Sequence, residues 1–267
     1  MYLADYHTHT QCSPDSEAPL AEMAQAAVDA GLQELCTTDH CDLIDLDGRR
    51  VYGLDWAPIL AQYEAARRQF QGKLTLLLGL ELGSAHVDLP AAEQILSAAP
   101  VDFVIGSVHN QSLAAGGRDF YFLDYATQAD CYAALDDYFA SLLALAPLPC
   151  YHALGHIIYP LRYMNGRAGH HVTLDRYRDQ LDELLRTVIQ TGRAIEVNTH
   201  CGDEVADWEP ILLRYRQLGG ELVTTGSDAH RPQHVALGIR DAQELLLHTG
   251  FRYQTIYRQG TPEQIKL

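Results

Sequence analysis

The sequence predicts an α/β fold whose parallel strands close into a barrel. Short apolar runs alternate with amphipathic helical stretches along all 267 residues, as in chains built from repeated βα units. Histidine, aspartate and glutamate residues recur just past successive apolar runs. Because every strand of a parallel barrel ends on the same face, residues spread along the chain would converge on one pocket there. Seven βα units fit the length, and we expect one domain over residues 1–267.

Each predicted strand is followed by a predicted helix. We expect the strands at residues 2–6, 32–36, 74–80, 103–107, 150–154, 194–197 and 222–225. In the first helix Pro19 suits the first turn, Leu20, Met23 and Ala27 lie on one apolar stripe, and Gly31 stands where a C-terminal cap is expected. We expect the other helices at residues 58–70, 90–98, 128–145, 173–190, 210–218 and 241–248.

Three long loops follow the second, fourth and fifth predicted strands, at residues 42–55, 110–127 and 159–172. Since parallel strands point the same way, all three loops should rim the pocket, as substrate-selecting loops do in barrels. The first loop carries four aspartates that could face a cationic group of a ligand or form a solvated acidic face. They are Asp42, Asp45, Asp47 and Asp55.

The composition argues against several classes of partner. With 19 basic and 35 acidic residues the formal charge is -16, which opposes binding to nucleic acid or to anionic membranes. No apolar stretch reaches the roughly 20 residues of a membrane span, and the N-terminus lacks the features of a signal peptide. We therefore expect a cytoplasmic protein. Its six cysteines form no CxxC pair, so we expect them reduced, although Cys12, Cys41 and Cys201 lie near histidines and could meet a metal.

The clearest chemical signal is a pair of residues with i, i+2 spacing at each end of the chain. On an extended segment His7 and His9 point the same way, so both imidazoles can bind one cation. For one such pair, two unrelated polar residues at a strand end are an equal alternative. Asp228 and His230 repeat the geometry after Gly226, where a tight turn can expose both side chains. The second pair strongly favours a metal site.

Further candidate ligands follow the strands in between. His40 follows the second strand, and His109 and His156 follow the fourth and fifth. Glu81 follows the third strand and could bridge two cations with its two oxygens, which holds metals about 3.5–4 Å apart. Asp15, in the loop after the first histidine pair, could complete a site, or it could simply precede the first helix. The set as a whole indicates an enzyme with a multinuclear metal centre.

In order along the chain, these motifs resemble those of the PHP family of metal-dependent phosphoesterases, and within it the histidinol-phosphate phosphatases. The resemblance covers nearly the whole chain, and the ordered set is far more specific than any single motif. The motifs are His7-Thr8-His9, Thr38-Asp39-His40, Gly79-Leu80-Glu81, Ser107-Val108-His109, Gly155-His156 and Gly226-Ser227-Asp228-Ala229-His230.

The resemblance implies a distorted (β/α)7 barrel with its site at the C-terminal face of the strands. It also implies three divalent transition-metal ions, which could be zinc, manganese or iron. The ligand sets it implies are His7, His9, Glu81 and Asp228; Glu81, His109 and His156; and Asp15, His40 and His230. Many relatives have histidine where this chain has Asp15, which would make the third site richer in carboxylate. His152 is an alternative to His156, but the Gly-His context favours His156.

Two residues are expected to contact substrate rather than metal. The resemblance favours Arg162 for binding phosphate, with Arg167 and Arg231 as alternatives. His200 follows the sixth strand and should face the pocket, where it could contact substrate, transfer a proton or serve only as a structural polar group. The remaining histidines lack a strand-end partner, so we expect them at the surface or in the core. They are His86, His170, His171, His234 and His248.

The resemblance thus implies a phosphomonoesterase, with L-histidinol phosphate of histidine biosynthesis as the small-molecule substrate. Asp228 would orient the attacking nucleophile or take its proton, and Arg162 and His200 would act with it on the phosphate. Two alternatives stay open. One is a PHP hydrolase for another phosphomonoester or a nucleotide, and the other is a metal-binding module without turnover.

Overall fold

The computed structural model describes residues 2–267. Its main sheet is wholly parallel and contains eight strands: β1 (Ala4–Thr8), β2 (Glu34–Thr37), β3 (His40–Asp42), β4 (Thr75–Gly83), β5 (Phe103–Ser107), β6 (Ala153–Leu154), β7 (Ala194–Asn198) and β8 (Val223–Gly226). The strands are ordered β1-β2-β4-β5-β6-β7-β8, and the short β3 pairs with the C-terminal half of β4. All seven predicted strands are present.

The sheet closes on itself between β8 and β1. His9 N donates to Ala229 O and Asp228 N donates to His7 O, both at 2.8 Å, and Thr225 Oγ1 donates to Ala4 O at 3.1 Å. Thr8 and Ala229 form an isolated parallel bridge here, so the backbone pairing between the two strands is limited to their C-terminal ends. The closure is therefore irregular. The predicted distorted (β/α)7 barrel is confirmed.

Seven helices cover the barrel, and their bounds lie within a few residues of those predicted. They are α1 (Leu20–Asp29), α2 (Trp56–Gln69), α3 (Leu89–Ser97), α4 (Gln128–Leu145), α5 (Arg178–Gln190), α6 (Glu209–Gln217) and α7 (Ile239–His248). In α1 the residues Leu20, Met23 and Ala27 are buried against the sheet. Gly31 follows the C-cap residue Ala30, and its φ of +79° allows Leu32 N to donate to Ala27 O at 2.9 Å, as in a Schellman cap. Across residues 2–267 no helix is both long and apolar enough to cross a membrane.

A C-terminal hairpin that the sequence did not lead us to expect closes the N-terminal end of the barrel. It consists of β9 (Tyr253–Arg258) and β10 (Thr261–Lys266), joined by a two-residue turn with positive φ at both positions. Ile256 and Tyr257 pack into the barrel interior against Tyr6 and Phe103. Because this end is filled by apolar and aromatic side chains, the opposite end is left for a polar site.

Candidate metal centre

All nine predicted ligands lie at the C-terminal end of the barrel. His7, His9, His109, His156, Asp228 and His230 stand at or just past the ends of their strands, as expected. Two positions differ from the expectation. Glu81 lies inside β4, which continues to Gly83, and His40 begins β3, where it pairs with Glu81. This extra strand pair places His40 directly beside the glutamate.

Glu81 is the centre of the site. Its side chain is fully buried, and its two oxygens face different histidines. Oε2 lies 3.0 Å from His40 Nδ1, 3.1 Å from His7 Nε2 and 3.5 Å from His9 Nε2. Oε1 lies 2.7 Å from His156 Nε2 and 3.0 Å from His109 Nε2. One carboxylate can therefore serve several ligand groups at once.

The ligand atoms gather into overlapping groups, each compact enough to hold a cation. The groups are His7, His9 and Glu81; Glu81, His109 and His156; His9, His40 and His230; and His40, Asp42 and His109. The first two match predicted sets, and Asp228 Oδ1 adds to the first at 3.4 Å from His9 Nε2. In the third, Asp15 Oδ2 lies 3.1 Å from His230 Nε2 and 3.5 Å from His40 Nε2, although its side chain is 54% exposed.

The unsatisfied atoms of the site fit a divalent metal. Buried ligand atoms without a hydrogen-bond partner include His7 Nε2, His9 Nε2, His40 Nδ1, Glu81 Oε2 and His230 Nε2. Each such atom ordinarily costs about 1–3 kcal/mol when left unpaired, so several facing one space call for a common partner. Imidazole nitrogen and carboxylate oxygen together suit divalent transition metals.

The charge of the site also fits cations. Burial raises the pKa of Glu81, but the charges of His7, His109 and His40 outweigh it and hold the pKa well below its ordinary value. Burial also raises the pKa of Asp228, but the charge of His7 outweighs it, and this pKa too lies well below the ordinary value. Burial lowers the pKa of His9 well below its ordinary value. Burial lowers the pKa of His7, His40 and His109, but the neighbouring carboxylates outweigh it and hold these pKa values well above the ordinary value. Metal binding requires neutral imidazoles and anionic carboxylates, so a bound cation would take the place of the protons on these three rings.

Three histidines are held by outer partners that sequence reasoning missed. His7 Nδ1 lies 2.5 Å from Glu196 Oε1, and His109 Nδ1 lies 2.8 Å from Asp42 Oδ1. His9 Nδ1 lies 3.1 Å from Ser13 Oγ. Such partners fix a ring so that its other nitrogen faces a metal. The signal for Glu196 was its place in β7, two residues before Asn198 on the same side of the strand.

Arg162 is buried beside the site and uses all three guanidinium nitrogens. Nη1 donates to Asp228 Oδ2 at 3.0 Å, Nη2 donates to Asn198 Oδ1 at 2.8 Å, and Nε donates to Glu204 at 2.9 Å. Of its two alternatives, Arg167 lies over the rings of Tyr121 and Tyr163, and Arg231 lines the mouth of the site. Arg162 is thus the arginine in contact with a predicted ligand.

A cavity of about 640 Å³ opens over these groups. His200 lines it, and burial together with the charge of Arg162 lowers the pKa of His200 to about 4, so the ring is neutral near pH 7. His234, expected at the surface or in the core, also lines the cavity.

His152, the alternative to His156, lies away from the cavity, and its Nδ1 accepts a hydrogen bond from Val104 N at 2.9 Å. The six cysteines are free, and of these Cys201 borders the cavity.

All three long loops contribute residues to the cavity wall, but of the four aspartates of the first loop only Asp42 lines it. Asp45 accepts from the backbone of Asp47 and Arg49 within its own turn, and Asp55 caps α2 by accepting from Ala57 N. None of Asp45, Asp47 and Asp55 lines the cavity. Asp42 does line it, but against His109. The carboxylates of the cavity wall beyond the predicted ligands and Asp42 are Asp119 and Asp203.

The model of the PHP domain matches residues 5–200, well over half of the chain. This chain belongs to the PHP domain family. The PHP chain is 29% identical to the histidinol-phosphatase of Lactococcus lactis over 256 residues, which cover 92% of this chain and 91% of the relative. It is 30% identical to a probable histidinol-phosphatase of Deinococcus radiodurans, with 95% and 96% covered.

This chain is also similar to a solved structure over nearly its whole length. The histidinol phosphate phosphatase from Lactococcus lactis, crystallised in complex with zinc, L-histidinol and phosphate, superposes with a TM-score of 0.84 at 26% identity. The match covers 98% of both chains. The family and fold that the sequence motifs predicted are confirmed.

Proposed function

We propose that this protein is a metal-dependent phosphomonoesterase that hydrolyses L-histidinol phosphate to L-histidinol and phosphate. The observation that carries the proposal is the convergence of histidines and carboxylates from the ends of the barrel strands on Glu81. The substrate is supported by the likeness, over nearly the whole chain, to a histidinol phosphate phosphatase that binds L-histidinol and phosphate. We further propose that residues 1–267 act as one domain, in the cytoplasm.

We propose three divalent ions, drawn from zinc, manganese and iron. His7, His9, Glu81 and Asp228 would hold the first; Glu81, His109 and His156 the second; and Asp15, His40 and His230 the third. The zinc in the Lactococcus structure supports this choice of metals. When bound, such ions activate water and neutralise charge on a phosphate ester. The short distance from His9 to the third group suggests that its ring adds to that site.

The protein's own side chains would do the rest of the work on the phosphate. A guanidinium has five N–H donors, and the three contacts of Arg162 leave two that can bind phosphate oxygens. Asp228 is anionic and held between His9 and Arg162, so it can orient the attacking water by accepting a hydrogen bond from it. His200 is neutral and can hydrogen-bond the phosphate or the ester oxygen without adding charge.

The outer cavity wall suits the other end of histidinol phosphate, which carries a cationic amine and an imidazole. Asp119 and Asp203 offer carboxylates for the cation. Tyr121 and Phe122 are about half exposed and form an aromatic pair with ring centroids 4.9 Å apart. Rings at the wall can stack on an imidazole. The cavity thus combines anion-binding and cation-binding parts.

A phosphate-release assay over a panel of monoesters tests the substrate. Histidinol phosphate should exceed p-nitrophenyl phosphate, glycerol phosphate and nucleoside monophosphates in kcat/KM by at least about 10²-fold, because a site built for polar groups penalises substrates that lack them. Comparable rates across the panel, or a preference for a nucleotide, would remove the histidinol assignment but leave a metal-dependent phosphatase. Absence of release from every ester would instead favour a metal-binding module.

A further inference from the structure

A second cavity, of about 960 Å³, adjoins the first at Arg162. It lies between the segment after β6 and the N-terminal parts of α5 and α6, and none of the nine predicted metal ligands lines it. Arg162 and His200 line both cavities. The guanidinium of Arg162 therefore forms part of the wall between the proposed phosphate site and the second cavity. Because the second cavity gives this side chain room to turn away, a contact is needed to hold it towards the phosphate site.

Glu204 is the residue placed to do this. It lines the second cavity, is 7% exposed, and has both carboxylate oxygens 2.9 Å from Arg162 Nε. Its backbone is fixed by a hydrogen bond from Glu204 N to Thr199 O at 3.0 Å, just past β7. With Nε anchored on this side, the two Nη atoms point to Asp228 and Asn198 on the other.

We infer that Glu204 is a positioning residue for phosphate binding, acting through Arg162. A buried carboxylate is expensive to keep unless it is paired, and here its charged partner is the arginine that faces the reaction site. A displacement of about 1 Å in a group that holds substrate can lower a rate about 10²-fold. The inference rests on the proposed role of Arg162 in binding phosphate, and it is independent of which alcohol the substrate carries.

The alternative is that the Arg162–Glu204 pair only stabilises the fold. The two roles differ in what a double-mutant cycle shows, because a residue that acts through another has no effect once that partner is gone. The variants are Glu204→Gln, which keeps the shape but removes the charge, Arg162→Ala, and the two combined. Asp207→Asn is the matched control, since it neutralises an exposed acid on the same segment whose side chain does not pair with Arg162.

Four quantities are measured for each variant: bound metal per chain, Tm, the inhibition constant of inorganic phosphate, and kcat/KM for p-nitrophenyl phosphate and histidinol phosphate. Glu204→Gln should keep its metal, raise the phosphate inhibition constant about tenfold and lower kcat/KM about 10- to 100-fold. In the Arg162→Ala background the same change should have no further effect on either quantity. Asp207→Asn should match the wild type. Glu204→Asp keeps the charge but has a shorter side chain, so its phosphate inhibition constant and its kcat/KM should lie between those of the wild type and Glu204→Gln. If Glu204→Gln does not fold, Glu204→Asp takes its place in the double-mutant cycle.

The inference is overturned if Glu204→Gln leaves phosphate inhibition unchanged, or if its loss of kcat/KM is as large without Arg162 as with it. A lower Tm with unchanged phosphate inhibition assigns Glu204 a purely structural role. The proposed function fails by a different result, namely a wild-type enzyme that does not prefer histidinol phosphate, and the cycle with p-nitrophenyl phosphate and inorganic phosphate still decides the role of Glu204.

Discussion

Two fully buried glutamates on neighbouring strands, Glu34 on β2 and Glu81 on β4, lie at opposite ends of the barrel. At the closed end, Glu34 accepts hydrogen bonds from Arg258, Tyr6 and Tyr2. At the open end, Glu81 faces five histidines, and the short contacts of its Oε2 with three of them lack hydrogen-bond geometry. The two carboxylates share burial and strand position but differ in whether the protein itself satisfies them.

The difference distinguishes a charge that the protein itself satisfies from a charge that a bound cation would satisfy. A buried carboxylate that is paired with arginine and tyrosine needs nothing else, and it holds the C-terminal hairpin against the barrel. A buried carboxylate with an orphaned oxygen is costly in the free protein, and a bound cation would satisfy that oxygen. Burial and residue type do not distinguish the two glutamates, whereas the unsatisfied oxygen of Glu81 indicates where a ligand would bind.

The comparison is tested most strongly at Glu81. Replacing Glu81 by Ala should remove the shared ligand of two groups, so that bound metal falls by more than one equivalent per chain. Losing a single transition-state contact costs about 10²–10³ in rate, and losing a ligand of two sites should cost at least about 10³ in kcat. Elemental analysis and phosphate release measure the two effects. Wild-type protein that carries no transition metal and stays fully active in chelator would contradict the whole metal assignment.

His200 should give a smaller loss of another kind. Because the ring lies outside the predicted ligand groups, His200→Ala should keep its metal while kcat/KM falls by about 10²-fold, the low end for a group that assists proton transfer. Its pKa of about 4 means that the ring is already neutral above pH 5. The dependence of kcat/KM on pH between pH 6 and 8 should therefore have the same shape in the wild type and in His200→Gln. Stoichiometric loss of metal in His200→Ala would show that the residue is a ligand.

Asp42 should have a still smaller effect, since it lies outside the three proposed ligand sets and contacts His109, a ligand of the second set. Asp42→Asn keeps an oxygen near His109 Nδ1 but loses the charge, and removing such an outer partner typically costs about 10- to 100-fold in metal affinity or activity. Asp45→Asn, in the same loop but away from the cavity, is the control. Equal metal affinity in the two variants would argue against a role for the Asp42–His109 contact.

The strands, the helices and the strand-end ligands could be predicted because each depends on local sequence. Apolar runs and helical periodicity mark the seven βα units, and a ligand at a strand end needs no knowledge of the neighbouring strand. The hairpin could not be found this way. Residues of β10 are mostly exposed, so the strand has no alternating apolar pattern, and only the Gln259-Gly260 pair marks its turn.

The outer residues of the site depend on pairings between distant segments. Asp42 meets His109 because β3 and β5 both pair with β4, and no local pattern in the loop at residues 42–55 indicates this. Glu204 likewise meets Arg162 from a loop 42 positions away. The sequence left open whether the loop aspartates face a ligand or the solvent, and the structure favours the second alternative for Asp45 and Asp55, whose carboxylates accept from backbone N–H groups within a few residues.

The last prediction returns to the closed end, where function should not change. Glu34→Gln leaves Arg258 without its carboxylate, and breaking a buried pair costs about 3–5 kcal/mol, with the lower end expected because the Arg258 side chain is 33% exposed. Tm should fall by roughly 6–12 °C, while metal content and kcat per folded chain stay at wild-type values. The double variant Glu34→Gln, Arg258→Met removes both charges and should recover part of the lost stability, which separates an uncompensated charge from a packing defect. Loss of metal or of kcat in Glu34→Gln at unchanged Tm would mean that the two ends of the barrel are coupled, and that an internally satisfied glutamate can also serve the reaction.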